Sequence, residues 1–420
     1  MLVLVIEHNQ GRHPCPGRVR QIDFNRFLQI AGTSHHRGPA PSTMREIRDS
    51  TLEGRAPKKL PKDLKVIDVD VHAHETPAAL IPHCEMPWRK SLELISKAPE
   101  RYLDIPFFAP QMAVWSPPFP QSGSERRQVV TSASQMRKDL DELSIDVGVI
   151  FPDNLLLLGA LRDADYATAI ARAYNRWLVD EWLGEDNGMK GAIVAPSQNP
   201  VAAAEEIRRC ASHTHVAAIY LPSCCVEPLY GHRSYDPVYE AAQETNLPVM
   251  LHSVTAIFPV FPFNLSCFNT MFSAHIVSHG LSMVANLLSM METGVPARYP
   301  KLKIGFSESG LAWVPWIMMR MDKEYKERRR ELPFLTDLPS TYVRQMFFAT
   351  QPIEEPENMK EMAIMMSLFG GEQSVMFASD WPHHDFDHPN KVLQIPVSRE
   401  TQRNILRDNA LRFLNMKERA

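Results

Sequence analysis

The chain of 420 residues lacks any long hydrophobic run, since no apolar stretch approaches the length of about twenty residues that a membrane span needs. Its first residues, MLVLVIEHNQGRHP, contain too short an apolar segment for the core of a signal peptide. It also lacks an excess of either charge: 45 basic and 49 acidic residues leave a formal net charge of -4. That balance provides no electrostatic footprint for nucleic acid or for an anionic membrane. We therefore expect a soluble protein whose partner is a small-molecule substrate.

Cysteine is scarce and irregularly placed. The six cysteines are Cys15, Cys84, Cys210, Cys224, Cys225 and Cys267. They show no paired spacing of the kind that binds structural zinc, and a disulfide between the adjacent Cys224 and Cys225 would be strained. Free thiols in a reducing compartment are the default for this pattern. The prediction is a cytoplasmic location.

Residues 1–62 differ from the rest of the chain, being basic and rich in proline, glycine, serine and histidine, with little periodicity. This composition predicts an N-terminal extension or arm, followed by one large domain over 63–420. An arm of this kind and a proline-rich insertion further along favour a homo-oligomer, or a hetero-oligomer with a related subunit. Neither assembly follows from the sequence alone.

From residue 66 onward, short β-branched runs alternate with longer helical patterns such as 163–183 and 200–212. The eight predicted strands are Val66–His72, Ile145–Pro152, Lys190–Ala195, Val216–Leu221, Pro248–His252, Leu302–Ser307, Gln345–Ala349 and Ser374–Ser379. Eight such units predict an α/β fold, a (β/α)8 TIM-type barrel with insertions after strand 1 (75–135) and strand 5 (255–278). A doubly wound open sheet is the alternative, disfavoured because no glycine-rich phosphate loop follows any strand.

The first predicted strand ends in an Asp-x-His-x-His pattern. Side chains at alternate positions of a strand share one face, so Asp70, His72 and His74 are expected to point the same way. Two imidazoles and a carboxylate suit a borderline divalent metal. A polar strand end with two surface histidines is the simpler interpretation.

Three other predicted strands also end in groups that bind metals. His252 follows strand five, Glu308 follows strand six and Asp380 follows strand eight. In a barrel of this type the carboxyl ends of the strands carry the active site. These residues and the first motif together predict a metal centre there, with Asp380, Glu308 and His252 as catalytic residues.

Taken together, IDVDVHAH, PVMLHS, YPKLKIGFSESG, VMFASDWPH and the tail RDNALRFLN resemble the amidohydrolase superfamily. The resemblance covers about 66–415 and is strongest to the branch that contains aminocarboxymuconate-semialdehyde and resorcylate-type decarboxylases. It implies metal ligands at His72, His74, His252 and Asp380, with the aspartate also handling protons. It further implies hydrolysis or non-oxidative decarboxylation of a small carboxylate-bearing or aromatic molecule. Zinc is the first expectation for the metal, with iron or manganese as alternatives.

The sequence departs from the decarboxylase pattern after strand six, where Glu308 stands in place of a histidine. Three interpretations remain open for this carboxylate. It replaces the missing acid/base with a pKa raised in a dry site, it binds a second metal, or it is a structural hydrogen-bond acceptor.

Histidines and carboxylates are more numerous near these strand ends than one metal requires. The additional candidate ligands are Asp70, Glu308, His275 (paired with His279 on a helix) and His384 in the loop PHHDFDHP. They are compatible with a dinuclear centre, and the chain also resembles a small group of dinuclear iron or manganese oxygenases in the same branch. An oxygen-dependent hydroxylase or its partner subunit is therefore a second prediction. A catalytically silent structural subunit is the third.

Overall fold

The computed structural model describes residues 60–61, 64–97, 129–184, 187–254, 268, 271–383 and 385–417. Nearly all of the predicted arm over 1–62 lies outside these ranges. The same holds for much of the two predicted insertions and for His384.

Eight parallel strands form one sheet in the order of the chain. They are β1 (Ile67–Ala73), β2 (Val147–Pro152), β3 (Met189–Val194), β4 (Val216–Pro222), β5 (Val249–His252), β6 (Ile304–Ser307), β7 (Phe347–Ala349) and β8 (Val375–Met376). Each pairs with its successor, and the sheet closes further because the Val69 amide donates to the Phe377 carbonyl at 3.0 Å. The predicted (β/α)8 barrel is confirmed, although β8 is shorter than the predicted run 374–379.

Helices follow the strands around the outside of the barrel. Their bounds are α1 (Pro77–Leu80), α2 (Arg89–Ile95), α3 (Ala133–Glu142), α4 (Ala164–Trp177), α5 (Pro200–Cys210), α6 (Asp236–Thr245), α7 (Met271–Glu292), α8 (Val295–Arg298), α9 (Trp313–Arg328), α10 (Pro339–Val343), α11 (Lys360–Phe369), α12 (Asn390–Gln394), α13 (Arg399–Arg403) and α14 (Asn409–Phe413). Side-chain caps explain two of the starts. Asp163 caps α4 because its side chain accepts hydrogen bonds from the Asp165 and Tyr166 amides. Asn199 caps α5 in the same way by accepting from the Ala202 amide.

Strand β1 shows why polar side chains collect inside the barrel. Its sequence IDVDVHA alternates apolar and polar residues, yet all seven positions are buried. Alternate side chains of a strand point to opposite faces, so Val69 and Val71 share one face, while Asp70 and His72 share the other. The register then places the ends of neighbouring strands at one level, for example His252 opposite Ser307.

No helix within the described ranges is both long enough and apolar enough to cross a bilayer. The predicted cytoplasmic location and homo-oligomeric state stay predictions.

Candidate metal centre

Four buried side chains meet where strands β1, β5 and β8 end. They are two aspartates and two histidines: Asp70, His72, His252 and Asp380. One donor atom of each lies within 4.8 Å of the donor atoms of the other three. His252 Nε2 is 2.9 Å from Asp70 Oδ2, and His72 Nε2 is 2.9 Å from Asp380 Oδ1. We call these four residues the inner cluster.

Backbone carbonyls fix the tautomer of both histidines. His72 Nδ1 lies 2.6 Å from the Pro152 carbonyl oxygen, and His252 Nδ1 lies 2.7 Å from that of Ser253. A carbonyl oxygen can only accept, so Nδ1 carries a proton, and Nε2 is the nitrogen that presents a lone pair when the ring is neutral. Metal-binding histidines are typically held in this way, with one nitrogen fixed by a backbone carbonyl and the other facing the ion.

Unsatisfied atoms in the inner cluster fit a bound cation. His72 Nε2 and Asp380 Oδ1 are buried and make no aligned hydrogen bond among the described residues, although they lie 2.9 Å apart. Two electron pairs that face each other in a dry site repel unless a proton or a metal ion lies between them. Two imidazoles and two carboxylates are a suitable donor set for a first-row divalent metal.

The ionisation of Asp70 matches this role. Burial alone would raise its pKa, but His252 and His72 beside it hold the pKa below the usual range of an aspartate. The Ser307 hydroxyl also donates to Asp70 Oδ2 at 2.5 Å. Asp70 is thus held as a carboxylate, the form that binds a metal.

Glu308 and Asp380 share an unusual backbone conformation. Both have left-handed φ angles, 55° and 62°, immediately after β6 and at the end of the segment that follows β8. Non-glycine residues rarely adopt this region, and in folded proteins such residues concentrate at functional sites. The left-handed conformation ends the extended backbone at each of these residues, so both carboxylates lie at the barrel mouth.

Asp380 is surrounded by groups that favour its charged form. His383 Nδ1 lies 2.7 Å from Asp380 Oδ1, and the Gln351 amide donates to Oδ2 at 3.0 Å. Burial opposes ionisation, but His383 and His72 lower the pKa of Asp380 to about 2.

Glu308 experiences the opposite balance. Burial, together with the charge of Asp380, raises the pKa of Glu308 well above its usual range. Its Oε2 lies 3.3 Å from His252 Nδ1, and its Oε1 lies 3.2 Å from His279 Nε2. Two neighbouring carboxyl groups therefore have pKa values pushed apart, a common arrangement in acid/base sites.

The remaining predicted ligands lie elsewhere. His74 follows the end of β1, outside the inner cluster, and its Nδ1 contacts Asp153 Oδ2 at 2.5 Å. His275 Nε2 lies 3.8 Å from Asp385, while its backbone carbonyl accepts from His279 Nδ1. His384 lies outside the described residues. The structure thus brings Asp70 to the place that the resemblance implies for His74.

One residue near the site was not predicted. Asp153 lies between two histidines, with Oδ2 near His74 and Oδ1 3.5 Å from His383 Nε2. Glu75 holds the start of this loop, because its carboxylate accepts from the Asp153 and Leu155 amides. Asp153 directly follows the end of β2, so the strand-end criterion that identified His252 and Asp380 could have found it.

The chain matches a family profile described as amidohydrolase over residues 69–416. It is 24% identical over 275 residues to gamma-resorcylate decarboxylase of Rhodococcus jostii (strain RHA1), covering 60% of this chain and 77% of that protein. The same enzyme of Polaromonas sp. is 22% identical over 267 residues, covering 59% and 76%.

Solved structures share the fold at low sequence identity. The 5-carboxyvanillate decarboxylase of Sphingomonas paucimobilis is 17% identical with a TM-score of 0.61, over 84% of this chain and all of that one. The 2,6-dihydroxybenzoate decarboxylase from Rhizobium is 16% identical with a TM-score of 0.60, over 84% and 99%. A 5-carboxyvanillate decarboxylase structure from Novosphingobium aromaticivorans, 18% identical with a TM-score of 0.63 over 84% and 97%, contains bound manganese.

The family profile spans most of the chain, and the inner cluster provides a donor set suited to a divalent metal. The protein therefore belongs to the amidohydrolase family and is a metal-dependent enzyme of the hydrolase and lyase class.

Proposed function

We propose that the protein catalyses the non-oxidative decarboxylation of a hydroxylated aromatic carboxylate. The observation that carries the proposal is a buried cluster of donors suited to a cation, with the Glu308 carboxyl group, whose pKa burial raises, 3.3 Å from one of its histidines. The two curated relatives described above are named gamma-resorcylate decarboxylases, which supports the substrate class.

Asp70, His72, His252 and Asp380 would hold the metal. A divalent cation there supplies positive charge that orients a substrate carboxylate or phenolate oxygen and polarises the bonds beside it. The burial of the four residues keeps bulk water away and strengthens these electrostatic interactions.

We propose manganese in preference to the predicted zinc. With His74 outside the cluster and Asp70 inside it, two of the four donors are carboxylates. Oxygen donors suit manganese, whereas a third imidazole would have favoured zinc. The bound manganese in the related decarboxylase structure points the same way.

Loss of carbon dioxide requires a proton for the ring carbon that carried the carboxylate. Glu308 is the donor in our proposal, because burial and the charge of Asp380 raise its pKa and so favour its protonated form. Asp380 cannot take this role while His383 and His72 keep it ionised. His252 and His279, 3.3 and 3.2 Å from the two oxygens of Glu308, orient the carboxyl group.

The test is a decarboxylation assay without oxygen. Manganese-loaded protein is incubated with 2,6-dihydroxybenzoate, 2,4-dihydroxybenzoate and 5-carboxyvanillate in deuterated water. We expect carbon dioxide and a phenol with one deuterium at the former carboxyl position. Benzoate esters of the same rings serve as controls, because they lack the free carboxylate.

Release of an alcohol or amine from an ester or amide, with no carbon dioxide from any acid, would contradict the proposal in favour of hydrolysis. Oxygen consumption coupled to substrate hydroxylation would instead favour the predicted hydroxylase.

A further inference from the structure

A large open cavity lies at the end of the barrel opposite the inner cluster. It has a volume of about 910 Å³, and its lining includes Lys303, Gln345 and Ser374, which come just before β6, β7 and β8, together with residues in and around α14. The inner cluster lies instead where the strands end. We call this space the basal cavity, and it is separate from the metal centre.

Basic side chains outnumber acidic ones in the lining of the basal cavity. The basic residues are Lys303, Arg344, Arg403 and Arg412. Asp408 is the one acidic residue of the lining, and two arginines already share it. Its Oδ2 lies 3.0 Å from Arg403 Nε, and its Oδ1 lies 3.1 Å from Arg407 Nη1. The cavity therefore has an excess of positive charge.

Three of these cations donate only to neutral oxygens among the residues that the structure describes. Arg344 Nη2 donates to the Leu368 carbonyl at 2.8 Å, and Arg412 Nη1 donates to Gln373 Oε1 at 2.9 Å. Lys303 Nζ donates to the carbonyl oxygen of Arg412. Both carbonyls belong to the last turns of helices, where they carry only part of a negative charge. They orient the cations without neutralising them.

The positive groups also lie close to one another. Burial and the charge of Arg412 lower the pKa of the Lys303 ammonium group. Arg344 and Arg412 are exposed, and the guanidinium of Arg344 donates within the protein through Nη2 alone. Its other N–H groups are available to a ligand. An anion in the cavity would relieve the repulsion and accept these hydrogen bonds.

We propose that the basal cavity binds a phosphate-bearing anion through Lys303, Arg344 and Arg412. A guanidinium group presents two parallel N–H donors that match two phosphate oxygens, and an ammonium group adds a compact point charge. The site lies at the opposite end of the barrel from the proposed decarboxylation and does not depend on it.

The size of the cavity favours a phosphate ester over free phosphate. Its volume lies within the range of about 300–1,000 Å³ that is usual for small-molecule sites. The lining also contains the half-buried ring of Phe347 and the exposed amides of Asn246 and Gln345. An apolar ring and amide groups suit the organic part of a ligand up to the size of a nucleotide.

The test is calorimetric titration of full-length protein with ATP, inorganic phosphate and adenosine. The protein is first stripped of metal with a chelator and dialysed, so that phosphate cannot bind at the metal centre, and ionic strength is held constant because salt screens exposed charges. We expect one ATP per chain, weaker binding of inorganic phosphate and no binding of adenosine. Tighter binding of phosphate than of ATP would support the site and identify free phosphate as its ligand.

Arg344→Gln should lower the affinity for ATP at least about tenfold, because it removes charge-assisted hydrogen bonds. Arg208→Gln is the matched control, since Arg208 is also an exposed arginine but pairs with Glu244 at 2.6 Å. We expect this control to bind as the wild type does. Lys303→Gln is the second variant, with the same expected loss, and thermal unfolding checks that each variant is folded.

Absence of saturable binding of both ATP and phosphate to the metal-free wild type would overturn the proposal. So would unchanged affinity in Arg344→Gln and Lys303→Gln, or an equal loss in Arg208→Gln, which would indicate a general effect of charge. None of these outcomes bears on decarboxylation, since that reaction is assayed with the metal-loaded protein and without these anions.

Discussion

The inner cluster and the neighbouring Glu308 lie together at the barrel mouth but differ in how well their side chains are fixed. Asp70 accepts from the Ser307 hydroxyl and contacts His252, and His72 and His252 are each tied to a backbone carbonyl. Glu308, by contrast, stands on a left-handed turn, and its Oε2 has no aligned hydrogen-bond partner among the described residues. The inner cluster is thus held in place by hydrogen bonds to the barrel, whereas Glu308 is held by fewer of them.

Removing a donor from the inner cluster should have the largest effect. We expect Asp70→Asn to lose the metal ion and to lower kcat/KM at least about a thousandfold, because a catalytic metal contributes several kcal/mol. Metal analysis and the decarboxylation assay measure both. Asp387→Asn is the control, since Asp387 is a buried aspartate in the loop after Asp380 that pairs with Lys391. Equal metal content in wild type and Asp70→Asn would show that Asp70 is not a ligand of the metal ion.

Glu308→Gln should separate proton delivery from binding of the metal. We expect the ion to remain, while kcat falls by about 10²–10⁴-fold with little change in KM, the range typical for loss of a general acid. Deuterium incorporation and kcat are measured beside the control Glu354→Gln, since the Glu354 carboxylate accepts from the Leu311 and Ala312 amides. A kcat within a factor of two or three of wild type would show that Glu308 is a structural acceptor, the third interpretation left open by the sequence.

The fold and part of the site follow from local patterns. Strand and helix periodicities are set by neighbouring residues, so the eight strands and the strand-end residues His252 and Asp380 could be predicted. Asp70 was also predicted as a ligand, but its position beside His72 in place of His74 was not, because the alternation of faces holds only while the chain stays extended and β1 ends at Ala73. The contact of His279 with Glu308 depends on how α7 packs over the barrel, which no local pattern encodes.

Asp68, two residues before Asp70 on β1, holds the backbone beside the inner cluster through hydrogen bonds. Its Oδ1 accepts from the Asp70 and Ser379 amides, whereas Oδ2 has no partner among the described residues. Burial raises the pKa of Asp68 from 3.8 to about 8. A raised pKa in the folded state means that its contribution to stability is complete below about pH 4 and is lost as the pH rises toward 8.

Asparagine cannot ionise, so the Asp68→Asn variant should not show this loss of stability as the pH rises. We expect the free energy of unfolding of the metal-free variant, relative to wild type, to rise between pH 5 and pH 8 by up to about 1.4 kcal/mol per pH unit. Urea unfolding at each pH measures the difference. Parallel profiles for the two proteins would mean that Asp68 has the same pKa in the folded and unfolded states.

His74→Asn should have the smallest effect, and it separates the ligand set implied by the resemblance from the set found in the structure. His74 contacts Asp153, which in turn lies 3.5 Å from His383, so His74 reaches Asp380 only through two intervening side chains. We expect metal affinity and kcat within about tenfold of wild type, at or below the range for residues that orient ligands. His83→Asn, which removes a half-buried histidine that contacts the exposed Asp180, is the control. If His74→Asn instead lost the metal as completely as Asp70→Asn, the loaded enzyme would have to turn His74 away from Asp153 and into the inner cluster.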